Sequence, residues 1–245
     1  MEDEILPKPN DNVIRIIGDP EFGSGIIPSF ELLLRDIMES AKSGKSMSIT
    51  DCTNGFYEPL VPAEKLLASL LGAASAKVWK PNMRLYSAMD IEASAPGLGL
   101  CDIKPKPFNN DPTFSFSANS SPADPFWMAV LTPPGCVTHT QSDGIGGCQY
   151  VVHFEGEKLW LFWPPSEKNL SLYAHQHGRI IKPTMTLESI RQMEGMQVYH
   201  LKDTVEAFVI PPNYLHAVIS ITTSAHTAAY FCAYDYFDES IRMMH

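Results

Sequence analysis

Apolar residues recur at Phe30, Leu33, Leu34, Ile37 and Met38. This i, i+3, i+4, i+7 spacing marks one face of a helix, so Ile27 to Ala41 predicts an amphipathic helix with Ser29 as its N-cap. Leu66, Leu67, Leu70 and Leu71 repeat the pattern, and Pro62 to Ala74 predicts a second helix with the proline in its first turn. Ser46 to Asp51 and Leu85 to Ile91 alternate with period two and predict strands. From Phe126 onward the pattern becomes strand-dense. Candidates are Trp127–Thr132, Cys136–Asp143, Cys148–Phe154, Leu159–Trp163, Gln197–Leu201, Ala207–Ile210, Ala217–Thr222 and Thr227–Tyr234, punctuated by Pro, Gly and Asn clusters. Two helical pieces, Ser166–Ala174 and Leu187–Met193, interrupt them. Eight short strands in one run predict a mainly β fold, a sandwich or barrel, and fit a double-stranded jelly roll with the N-terminal helices packed against it.

Residues 1–12 are polar and carry two prolines, which predicts a loose start. Residues 95–125 are rich in Pro, Gly, Ser, Asn and Asp and predict a long surface loop. The 245 residues are therefore read as one domain, with residues 1–125 as the N-terminal extension and 126–237 as the jelly-roll core.

Composition narrows the function classes. A hydrophobic fraction of 44% supplies enough apolar surface to offset ordering entropy, so disorder is not the main theme. A net charge of -10 argues against direct nucleic-acid binding, which needs clustered Lys and Arg, and is compatible with a basic partner. No apolar run is long enough to span a membrane. The acidic Met1-Glu2-Asp3-Glu4 start does not read as a secretory signal, so an intracellular site, nuclear or cytoplasmic, is expected. Five cysteines without a CxxC pair disfavour a zinc ribbon and a disulfide framework.

The chemistry-bearing residues lie inside the apolar strands. Strict alternation puts His139, Gln141 and Asp143 on one face. Lys158 opens the apolar run Leu159-Trp160-Leu161-Phe162-Trp163, and His216 follows Ile210-Pro211-Pro212-Asn213-Tyr214-Leu215. A carboxylate two residues after a nitrogen ligand, with a distant His, is how jelly rolls build a facial site for Fe(II). A buried Lys then needs an anion, because an unpaired charge costs several kcal/mol. The remaining histidines, His153, His175, His177, His200, His226 and His245, carry no supporting pattern.

Four stretches resemble the JmjC-domain oxygenases, most of all the histone lysine demethylases whose relatives carry F-box or PHD modules. They are Leu85-Tyr86-Ser87-Ala88-Met89-Asp90-Ile91-Glu92-Ala93-Ser94, Pro134-Gly135-Cys136-Val137-Thr138, Gly156-Glu157-Lys158-Leu159-Trp160 through Asn169-Leu170, and Ile210 through Val218. The resemblance covers residues 46 to 235. It implies metal positions at Gln141, Asp143 and His216, and 2-oxoglutarate held by Thr138 and Lys158. It departs from the family at three places: Gln141 stands where the first His is expected, Ser87 where an Asn is, and Val151 where a Tyr often is. Gln is a poor ligand beside imidazole. His139 is a substitute ligand if the register differs or a bulge brings it toward Asp143.

Two functions follow from the resemblance. One is an Fe(II)- and 2-oxoglutarate-dependent hydroxylase or histone lysine demethylase acting on a protein or peptide, such as a basic histone tail, with a degenerate metal triad. The other is a catalytically inactive JmjC pseudo-enzyme that serves as a protein-binding or scaffold module.

Overall fold

A computed structural model describes residues 13–16, 30–52, 56–75, 85–92, 114–116, 127–143, 147–177, 185–202 and 205–233. The expected loose start, the Ser29 cap, most of the 95–125 loop and the aromatic residues Tyr234 and Tyr236 lie outside them.

The N-terminal part runs β1 (Ile14–Ile16), α1 (Phe30–Lys42), β2 (Ser46–Asp51), β3 (Phe56–Pro62), α2 (Ala63–Ser75), β4 (Tyr86–Glu92) and β5 (Phe114–Phe116). Then come β6 (Trp127–Thr132), β7 (Val137–Gln141), β8 (Gly147–Glu155) and β9 (Glu157–Trp163). Helices α3 (Glu167–His177) and α4 (Met185–Gln192) precede β10 (Gln197–Lys202), β11 (Glu206–Ile210), β12 (Leu215–Ser220) and β13 (Ser224–Ala233).

The eight strands β6 to β13 divide between two antiparallel sheets. One holds the order β11-β8-β13-β6 and the other β10-β9-β12-β7. This is the expected double-stranded jelly roll. The first sheet continues past β6 through β4, β2 and β3, so the N-terminal part contributes strands as well as helices.

Period-two alternation sorts the strand residues into layers. Val151, Phe208, Ile210 and Ala228 of the larger sheet meet Trp160, Phe162, Leu201 and Val218 of the smaller one between the sheets. The outer face of the larger sheet, with Ile49, Ala88, Leu131 and Val152, is covered by Leu33 and Ile37 of α1 and Leu66 and Leu70 of α2. The outer face of the smaller sheet, with Leu161, Trp163, Leu215 and Ala217, is covered by Leu170 and Tyr173 of α3 and Ile190 of α4. The helix stripes are narrower than their spacing predicts, since Met38 and Leu71 are exposed. Pro62 closes β3 instead of opening α2. Glu155 of β8 accepts the Phe30 N–H at 2.5 Å, which fastens the start of α1 to the sheet.

Gly156 is the corner where the chain leaves one sheet for the other. Its φ is +82°, and an added Cβ would land on the Thr223 carbonyl oxygen and within 2.6 Å of Ser224 Cα and Cβ. Gly156→Ala is therefore expected to cost about 2–5 kcal/mol, combining left-handed strain with overpacking against backbone. Urea unfolding midpoints check this. A loss under about 0.5 kcal/mol, the range of an ordinary surface change, would show that the corner is not constrained this way.

Candidate functional site

The inner face of the smaller sheet carries the site in three rows, read from strand register. The first row is Gln141, His216 and Phe162, the second is Thr138, Val218 and Trp160, and the third is Ser220, Lys158 and Leu201. Successive rows are two residues, or about 6.6 Å, apart along a strand.

The first two rows depend on a bulge. His216 faces Gln141 and Val218 faces Thr138, so β7 spends three residues where β12 spends two. Thr138 and Gln141 consequently share the inner face although they are three apart in sequence. His139 and Thr140 sit together across from Ala217, which packs on the outer face. Thr140 Oγ1 donates to Ser189 Oγ of α4 at 3.1 Å, on that outer side. Strict alternation of His139, Gln141 and Asp143 is thus overturned. The bulge places Gln141, not His139, opposite His216. Burial pulls the His139 pKa down.

His216 is delivered by the turn after β11. Pro211 and Pro212 end that strand, Asn213 takes a left-handed φ of 64°, and β12 starts at Leu215. Asn tolerates this conformation because its short polar side chain satisfies local backbone groups. Asp143 lies just past the end of β7. Ser142 beside it shares a backbone hydrogen bond with Tyr173 of α3.

Three side chains converge here. His216 Nε2 lies 3.3 Å from Gln141 Nε2 and 3.7 Å from Asp143 Oδ1. The His216 and Asp143 side chains are only 2% and 7% exposed. No group of three His, Cys, Asp or Glu side chains suited to a metal exists among the described residues, so only the Gln141 amide completes the set. His216 Nδ1 is buried without a hydrogen-bond partner, whereas a metal-bound His ordinarily donates through its second nitrogen. His216 and Asp143 are two strong donors for a divalent cation; Gln141 faces His216 with its amide nitrogen and would supply a third, weak donor only with the amide turned so that its oxygen points inward.

Lys158 occupies the third row. It is fully buried, and among the described residues no carboxylate pairs with it. Its Nζ lies 2.6 Å from His226 Nδ1 of β13. Burial lowers its pKa from 10.5 to about 7, partly offset by the nearby Cys136 and Cys52 thiols. A hydroxyl cluster closes this end, with Thr132 Oγ1 at 2.7 Å from Ser220 Oγ and 3.0 Å from Ser224 Oγ. Trp160 stands between the two ends, its ring 6.1 Å from that of His216 and 5.3 Å from that of His226. Among the described residues its buried Nε1–H has no acceptor. A buried ammonium and an unsatisfied donor on one wall call for an anion. The rows of Lys158 and His216 are four strand residues, or about 13 Å, apart along the backbone. A lysine side chain and a small dicarboxylate span that gap together.

His226 escapes sequence reasoning. The available signal is its position two residues before Ala228 in an apolar strand, which puts it on the inner face. Ser87 and Val151, the two other departures from the family pattern, are both fully buried. Trp163, by contrast, is sealed under α3 and lines no groove. No described helix is long and apolar enough to cross a membrane.

No protein-family model and no curated protein sequence matches the chain. Solved structures do. The ribosomal oxygenase YcfD from Escherichia coli, in complex with cobalt and 2-oxoglutarate, superposes with a TM-score of 0.53 at 13% identity, over 91% of this chain and 48% of that one. Two further YcfD structures give TM-scores of 0.49 and 0.48 at 14% and 13% identity, over 89% and 85% of this chain and 47% and 45% of theirs. The second of these holds cobalt and succinic acid. This chain spans about half the length of those proteins. At such identity the likeness concerns the fold alone.

Proposed function

We propose that this chain is a JmjC-type 2-oxoglutarate oxygenase acting on a protein or peptide, with a metal centre weakened by Gln141. The observation that carries the reading is Lys158: a fully buried lysine with no carboxylate partner among the described residues, on the same inner wall as Gln141 and His216. Thr138 and Lys158 would hold the 2-oxoglutarate distal carboxylate. Asp143, His216 and the amide oxygen of Gln141 would hold Fe(II), whose chemistry when bound is activation of oxygen for hydroxylation. Trp160 and Phe162 exclude water between the two ends. Hydroxylation at an N-methyl group of lysine would give an N-hydroxymethyl group whose carbon leaves as formaldehyde, so demethylation is one outcome. The net charge of -10 suits a basic peptide such as a histone tail, and a nuclear setting would go with that partner.

A second reading is the pseudo-enzyme, a fold that keeps its dicarboxylate slot and binds a protein partner without turnover. It is favoured by the unpartnered His216 Nδ1 and by the presence of only two strong metal donors.

Calorimetric titration of Mn(II), with and without 2-oxoglutarate, tests the proposal. The expected result is that each ligand strengthens the other. Independent binding of 2-oxoglutarate with no metal uptake would move the assignment to the second reading. Absence of both would remove the oxygenase reading.

A further inference from the structure

Lys158 does not stand alone at the closed end of the barrel. Its Nζ lies 2.6 Å from His226 Nδ1, and the charged form, which a carboxylate ligand favours, can only donate to it. That leaves the proton of the neutral imidazole on Nε2. The Nδ1 contact is the only hydrogen bond of His226 among the described residues. Both residues are buried, His226 at 7% exposure and Lys158 at none. The indole Nε1–H of Trp160, whose ring packs edge-on at 5.3 Å from His226, also lacks an acceptor. The charged or titratable neighbours are His153 across the β8 register, His216 in the first row, and the thiols of Cys136 and Cys52. None of these is a carboxylate. Among the described residues the Lys158 amine thus has His226 Nδ1 as its hydrogen-bond partner, and the neighbouring Trp160 Nε1–H has no acceptor.

We propose that His226 is a specificity-determining residue of the dicarboxylate slot, holding the Lys158 ammonium through Nδ1 and presenting Nε2–H to the incoming carboxylate. The inference rests on the oxygenase-slot reading above and adds a residue to it. An anion held by an ammonium and an imidazole together is bound in a fixed direction, whereas a lone ammonium acts as a point charge.

The test is the 2-oxoglutarate dissociation constant of wild type, Lys158→Met, His226→Leu and His226→Gln, with a thermal melt of each. Gln can accept from Lys158 and donate to a carboxylate; Leu can do neither. His226→Leu is expected to bind about tenfold or more weakly, the worth of one hydrogen bond to a charged group. His226→Gln is expected to recover most of that loss, and Lys158→Met to lose binding. In wild type the imidazole nitrogen resonances of His226 should shift when 2-oxoglutarate is added, a readout that does not depend on any variant folding. Wild-type affinity in a folded His226→Leu, equal losses in Leu and Gln variants, or unmoved His226 resonances would each overturn the proposal while leaving the slot reading intact. Wild type that binds no 2-oxoglutarate, or Lys158→Met that binds like wild type, would remove both.

Discussion

Gln141→His is expected to raise Mn(II) affinity by about two orders of magnitude. A structural metal site worth about 10–16 kcal/mol over four ligands assigns about 3 kcal/mol to each, which is roughly that factor. The geometry is ready for it. Gln141 faces His216 across the β7–β12 register, and its side-chain nitrogen is 3.3 Å from His216 Nε2, with Asp143 Oδ1 at 3.7 Å. Neighbouring ligands on an octahedral ion with bonds of about 2.1 Å lie about 3 Å apart, so small rotations bring all three onto one ion. The change replaces a neutral amide by an imidazole without altering the backbone. Calorimetry on wild type, Gln141→His and Gln141→His with Asp143→Asn measures the effect. The gain must disappear in the third protein. Equal affinity in the first two would mean that these residues are not a metal site.

Much of the fold was legible because burial on two faces imposes two periods. Trp160 and Phe162 point between the sheets while Leu161 and Trp163 point under the helices, so a continuous apolar run still resolves into a strand. The boundaries of β2 and β6 agree with the pattern to the residue. Missed were β1, β3 and β5. β1 and β5 are three residues each, too short for any period, and β3 holds Pro59 and Pro62, which argue against a strand unless it lies at an edge. β3 is indeed the last strand of its sheet, where a missing N–H costs little.

The candidate site was legible as a set of positions and illegible as a geometry. Thr138, Gln141, Lys158 and His216 reach one wall only because β7 bulges, and a bulge has no period of its own to detect. The three-residue spacing of Thr138 and Gln141 was its sole trace. His226 was missed for a different reason. Its importance comes from Lys158, which is sixty-eight residues away in sequence and adjacent only after the two sheets close.

Lys158→Met is expected to stabilise the unliganded protein by about 1–4 kcal/mol near neutral pH while abolishing 2-oxoglutarate binding, as when buried charges are replaced by apolar residues of similar volume. Burial lowers the Lys158 pKa from 10.5 to about 7, so between those values the unfolded chain holds a proton that the native chain does not. Stability of the wild type therefore rises with pH across that window, by up to about 1.4 kcal/mol per pH unit. Below about pH 7 the native protein carries the buried charge in full. His226, whose pKa is lowered by burial and by Lys158, acts in the same direction at lower pH. Met removes the Lys158 contribution, so its stabilising increment should be largest at pH 6 and shrink toward pH 10. One loss opposes it, the hydrogen bond that His226 Nδ1 receives. Anion binding reverses the slope, because a carboxylate favours the charged lysine; wild-type 2-oxoglutarate affinity should fall as pH rises above about 7. Urea unfolding of both proteins at pH 6, 8 and 10 reads the first effect, and calorimetry at the same pH values reads the second. Parallel stability curves for wild type and Lys158→Met would mean that Lys158 is not the buried, proton-shedding group on which the co-substrate slot depends.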